Sequence, residues 1–156
     1  MLDSQTMGTT GAPACPARGR QRAAAMLPWA FQVPVALILA QTLFFKFTYA
    51  PETQAIFADR GGYPAAVAVG VAELICVVLL LVPRTAAVGA TLSLVVISGA
   101  IFTHLTSLGV SVPVAPGSQE RDGGLLFGLA VAVAVGSLVV LAFRRRELPF
   151  VRRLWA

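Results

Sequence analysis

The stretch from Tyr63 to Leu108 constrains this chain most: two long apolar runs joined at a single Pro83-Arg84 break. About 20 helical residues, rising 1.5 Å each, cross the ~30 Å hydrocarbon core of a bilayer. Leu27–Phe47 and Gly123–Phe143 are runs of the same kind. A chain that crosses a bilayer must satisfy its backbone hydrogen bonds internally. These runs are about twice as long as a barrel strand and lack its polar alternation. The predicted fold class is therefore all-α, a transmembrane four-helix bundle, with spans at about 27–47, 63–82, 85–108 and 123–143. Only 12% of residues are charged and 57% are hydrophobic, against roughly 25% charged in a soluble domain.

Between and around the spans the character changes. Residues 1–26 are rich in Gly, Ala, Thr, Pro and Arg without apolar periodicity, and read as a disordered tail. The run after Arg18, Arg20 and Arg22 exceeds the roughly 7–15 residues of a signal core and has no small-residue cleavage site. It is read as an uncleaved first span, with Met26 as an alternative start. Pro28 suits its helix start, Pro34 predicts a kink, and Trp29 fits an interfacial anchor. Pro51 followed by ETQAIFAD predicts a short surface helix with Ile56 and Phe57 dipping inward. Two residues between spans two and three leave room only for a tight antiparallel hairpin. Gly109 to Asp122 reads as a polar loop, Asp122-Gly123-Gly124 as a helix start, and residues 144–156 as a basic tail.

With four spans, Arg18, Arg20, Arg22, Arg84, Arg144, Arg145, Arg146, Arg152 and Arg153 share one side, against Lys46, Arg60 and Arg121 on the other. Excess positive charge marks the cytoplasmic side. The expectation is a multi-pass inner-membrane (plasma-membrane) protein with both termini cytoplasmic and membrane lipid as its surroundings. The same placement explains the net charge of +5 without nucleic acid as a partner, whose basic stripes and base-reading modules are missing.

Small residues recur every fourth position: Gly124, Gly128, Ala132 and Gly136 on the fourth span, Ala66 and Gly70 on the second, Gly89 and Ser93 on the third. This spacing lets helix backbones approach closely, within the bundle by preference or against another subunit.

Three polar residues stand out. Glu73 lies near the middle of the second span, where an unpaired charge costs at least a few kcal/mol. It is neutral, paired or facing water, and serves either a proton or ligand contact or a purely structural hydrogen bond. Lys46 closes the first span and either joins Glu73 or snorkels outward. His104 lies about four residues from the outer end of the third span and either joins them or bonds a backbone carbonyl or Ser107. Lys46, Glu73 and His104 thus form the candidate polar cluster, with Gln41, Tyr49 and Thr103 as further members. One histidine excludes a bis-His haem or multi-His metal site within one chain, so no metal is expected. Cys15 and Cys76 lack CxxC spacing, and Cys76 reads as small apolar filler.

Taken together, FFKF ending in the first span, the GGYP entry, the AEL carboxylate, the LVPRTAAVGA hairpin and GAIFTHL resemble the DoxX-like family of small four-helix membrane proteins, over about residues 33–146. The resemblance implies an accessory subunit of a quinone-linked redox system, within a larger redox complex and without a redox centre of its own. The chain would then not be catalytic alone, and would carry no cofactor except a quinone held near Glu73 and His104. The family supplies no agreed catalytic residues, and the missing cysteine pair argues against thiol exchange. The residues leave two rivals open: a small-molecule or lipid binding and transport module, and a purely structural subunit.

Overall fold

The computed structural model describes residues 17–144, and these are all-helical. Helix α1 spans Ala17–Phe47, α2 Pro51–Phe57, α3 Gly62–Leu81, α4 Ala86–Thr103 and α5 Leu125–Arg144. A π-helical turn, His104–Leu108, continues α4. Four segments are long and apolar enough to cross a membrane: Met26–Phe47, Gly62–Leu81, Ala86–Leu108 and Leu125–Arg144. In the bundle α1 packs on α3 and α5, and α4 packs on α3 and α5, forming a ring of four. One end of the bundle carries α2 and the 109–124 loop. The other carries the 83–84 hairpin.

Each helix turns a stripe of 3.6-residue period to the centre. On α1 the buried stripe is Gln32, Val35, Ala36, Leu39 and Leu43. On α3 it is Ala66, Gly70, Glu73, Cys76, Val77 and Leu80. The core is Val35, Leu39, Cys76, Leu80, Ala90, Ile97, Val133 and Val140 with their neighbours. Cys76 is fully buried there as a free thiol. Large apolar side chains such as Phe44, Val95, Phe102 and Leu138 face outward, as lipid-facing residues do.

Two expectations about the ends are corrected. The tail expected through Met26 is helical from Ala17 onward. Its Ala, Arg and Gln residues favour helix, and extending a helix that already exists needs no new nucleus. Pro28 and Pro34 consequently both lie inside α1. Arg144, expected in the basic tail, is the last residue of α5 and is 8% exposed. Its guanidinium donates from Nε to Gln32 Oε1 at 2.8 Å and from Nη1 to the Pro83 carbonyl at 3.0 Å. Gln32 Nε2 in turn donates to the Leu80 carbonyl at 2.6 Å. Arginine's planar fork suits such a multi-acceptor site. The rest of both expected tails, residues 1–16 and 145–156 with Cys15, lies outside the described residues.

The small-residue positions divide. Gly136 and Ser137 are buried on the core side of α5, and Ser137 Oγ lies 3.1 Å from Ser93 Oγ on α4. A Cβ on Gly89 would stand 2.7 Å from the Leu80 nitrogen and 2.8 Å from the Leu79 carbonyl carbon. Here α4 rests on the backbone of α3. Gly128 and Ala132 instead lie on the exposed face of α5, where a Cβ on Gly128 would meet nothing within 4 Å. That part of the stripe does not pack within the bundle. Gly89→Ala should lower stability by about 1–3 kcal/mol, because the obstacle is backbone. Gly128→Ala should leave it unchanged. Thermal melts of both variants in detergent check the contrast.

Asp122 organises the 109–124 loop and the start of α5. Its carboxylate accepts from the backbone N–H of Val112 at 2.7 Å, Leu126 at 2.9 Å and Gly124 at 3.0 Å, and from Ser111 Oγ at 3.2 Å. Partial burial pushes this carboxyl up, but the hydrogen bonds from Leu126, Val112, Gly124 and Ser111 outweigh it and hold it below its ordinary value. The folded state therefore binds the proton less readily than the unfolded chain. The stabilisation is present above the ordinary carboxylate value and is lost as pH falls through the lower folded one. Asp122→Ala should cost about 1–2 kcal/mol at neutral pH. It should also flatten the loss of stability as pH falls below the ordinary carboxylate value of about 4, measured as melting temperature against pH.

Candidate functional site

The α1 stripe ends in polar residues: after Leu39 come Thr42 and Lys46, at intervals of three and four. This carries both toward α3. Lys46 Nζ donates to Glu73 Oε1 at 3.0 Å and Oε2 at 2.9 Å. Thr42 Oγ1 lies 2.9 Å from Glu73 Oε2 and 2.8 Å from the Leu39 carbonyl. The side chains of Lys46 and Glu73 are 15% and 5% exposed. Lys46 is therefore paired and does not snorkel. Glu73 is the twelfth residue of the 20-residue α3, which is the depth at which an uncompensated carboxylate is most costly. One turn earlier, Gly70 supplies the space: a Cβ there would lie 3.2 Å from the Phe47 ring and 3.5 Å from Lys46 Cβ.

His104 is buried at the end of α4, 6% exposed. Its Nδ1 lies 3.0 Å from the Gly109 carbonyl oxygen, one of the two placements expected for it. Ser107 instead donates to the Thr103 carbonyl. The His104 ring meets Phe127 edge-on, with centroids 5.7 Å apart.

Both parts of the site open on one cavity of about 620 Å³ inside the α2 end of the bundle. Lys46, Glu73, Thr42, His104 and Thr103 line it, and Arg60 joins them beside Ile56 and Phe57 of α2. Arg60 Nη1 donates to the Ile56 carbonyl at 2.8 Å. The remaining wall is apolar, from Ile38 and Leu39 through Val69 and Val96 to Leu129 and Val133. The arrangement is an apolar chamber with a charged pair, an imidazole and a guanidinium on its wall. Chemically it can take a molecule with a polar head and a hydrocarbon body.

Of the further members, Thr103 reaches the cavity, although its hydroxyl donates to the Gly99 carbonyl at 2.9 Å. Gln41 and Tyr49 do not belong. Gln41 is exposed; nine residues from Gln32, it is half a revolution away at 100° per residue. Tyr49, at φ +49°, turns the chain between α1 and α2 and packs edge-on against Tyr63 at 5.3 Å. Thr42 and Arg60 were not anticipated. Thr42 was legible as the residue one turn before Lys46 on the same face. Arg60 had no comparable signal, because its place follows from the fold of the 58–62 turn. Among the described residues no group of three or more His, Cys, Asp or Glu side chains is placed to hold a metal ion.

Comparison with family models, with curated proteins and with solved structures finds no match to this chain. The site is therefore argued from its own geometry.

Removing one member of a buried ion pair strands its partner and costs about 3–5 kcal/mol, whereas replacing both by apolar groups is often neutral. Lys46→Met and Glu73→Leu should each lower the melting temperature strongly. The double variant should recover most of the loss. Melting curves of the four proteins in one detergent measure the coupling.

Proposed function

We propose that this chain is a DoxX-like accessory subunit of a quinone-linked redox system in the inner membrane. It holds an isoprenoid quinone in the bundle, and a larger redox complex supplies the electron-transfer centre. The observation that carries the reading is the cavity: an apolar chamber of about 620 Å³ with Lys46, Glu73 and His104 on its wall. Its size falls in the range of about 300–1,000 Å³ common for ligand sites. The polyisoprenoid body would lie along Ile38, Val69, Val96 and Leu129, and the oxygenated head would meet the polar groups. Positive charge on the hairpin side supports cytoplasmic termini, which puts the α2 end of the cavity toward the outer face.

Lipid extraction tests this. Protein purified from its native membrane should carry quinone at about one per chain, a ratio expected of a single site. Filling the chamber with Ala100→Trp should remove it. Phospholipid or another amphiphile in place of quinone would favour the lipid or small-molecule binding and transport module. An empty protein that still co-purifies with partners would favour the structural subunit.

A further inference from the structure

We infer that His104 is a specificity-determining residue of the cavity, and that it selects a head group bearing a hydroxyl over one bearing only carbonyl oxygens. The inference rests on the cavity being a ligand site, as proposed above. In the chemistry of that ligand class it means the reduced hydroquinone form, or a phenol, in preference to the quinone.

The argument begins with the π-helical turn. Gly109 N–H donates to the His104 carbonyl at 2.8 Å, while His104 Nδ1 meets the Gly109 carbonyl at 3.0 Å. One glycine thus holds the histidine by its backbone and by its ring. Gly109 has φ +81° and ψ 172°, a conformation that side-chain-bearing residues avoid. A carbonyl oxygen only accepts, so Nδ1 carries the hydrogen. In the neutral ring Nε2 then presents a lone pair. Among the described residues no group donates to Nε2, and no buried side-chain nitrogen or oxygen lacks a partner. Nε2 is therefore not sealed in protein, and because His104 lines the cavity we take its second nitrogen to open there.

The other polar groups on the wall differ in sign. Lys46 and Arg60 are donors only. The Glu73 oxygens accept, and Lys46 and Thr42 already lie within hydrogen-bond distance of them. In the neutral ring Nε2 is thus a wall acceptor that takes no protein donor and, unlike the Thr42 and Thr103 hydroxyls, cannot turn to donate. A hydroxyl satisfies it. A carbonyl would set lone pair against lone pair and leave both groups unpaired, and a site built to accept a hydroxyl rejects analogues that lack one.

His104 is the chain's single histidine, so its ring nitrogens give an unambiguous signal. The experiment uses the full-length protein in nanodiscs, with a short-chain alkyl hydroquinone kept reduced and its matching quinone as probes. Competition binding should show the hydroquinone tighter by about tenfold or more. His104→Phe, which keeps the ring contact with Phe127, should bring the two within about twofold, mainly by weakening the hydroquinone. With ¹⁵N-labelled histidine, the hydroquinone should move the Nε2 resonance while the quinone leaves it in place. This readout survives even if the variant folds poorly. Equal affinity for both probes, a preference that persists in His104→Phe, or an unmoved Nε2 resonance with hydroquinone bound would each overturn the inference while leaving the cavity reading intact. Failure of both probes to bind the wild-type protein would overturn the two together.

Discussion

A carboxylate just past the middle of an apolar helix dictates much of the packing around it. In its ionised form Glu73 is tolerable at this depth only with a counter-charge beside it, and the backbone of α3 has none to offer. The partner must come from an adjacent helix whose own end lies close by. Lys46, in the last turn of α1, meets this need and also sits favourably at the carbonyl end of that helix. The pairing fixes the axial register of α1 on α3 and the rotation of both. Gly70 completes the condition by removing the side chain that would hold the last turn of α1 away.

Other polar ties repeat the logic at other levels. At the hairpin end Arg144 and Gln32 join α5, α1 and the carbonyls of Leu80 and Pro83. In the interior Ser137 meets Ser93 across α5 and α4. In lipid, apolar side chains gain little by preferring a neighbouring helix to acyl chains. Specific polar contacts and close backbone approach are what distinguish one packing from another. Near the hairpin end Leu80 and Val140 fill the centre. Toward α2 the wall is set by Ala68, Ala72, Gly99, Ala100 and Ala130, and these small side chains leave the chamber open.

Hydropathy alone located the spans, since length and composition decide whether a helix can cross a bilayer. It did not decide which way each helix faces. Where nearly every residue is apolar, the lipid-facing and inward-facing sides carry almost the same chemistry, and polar residues become the only markers. Gln32 and Gln41 look alike in the sequence, yet stand on opposite faces of α1. The stripe Leu39, Thr42, Lys46 was enough to tell them apart. Arg144 was hidden for a different reason: an arginine run after a span reads as a stop signal, and nothing local reveals that its first member turns inward. Gly128 and Ala132 show the converse, since close-packing spacing specifies a smooth helix face without saying what lies against it.

The two ends of the bundle treat their polar groups differently, and the difference bears on use. At the hairpin end the groups close onto one another, as structural ties do. At the α2 end a buried ion pair, a π-helical turn and unfilled volume occur together. Each is costly: the pair in desolvation, the volume in lost packing, the turn in weakened helix geometry. Irregular backbone at membrane depth is tolerated where it is buried in protein or lines a cavity. A bundle built only for support would gain by filling the chamber with larger side chains and ending α4 regularly at Thr103. That α4 instead widens at His104, on the wall of the cavity, is a feature on which the ligand reading proposed above rests.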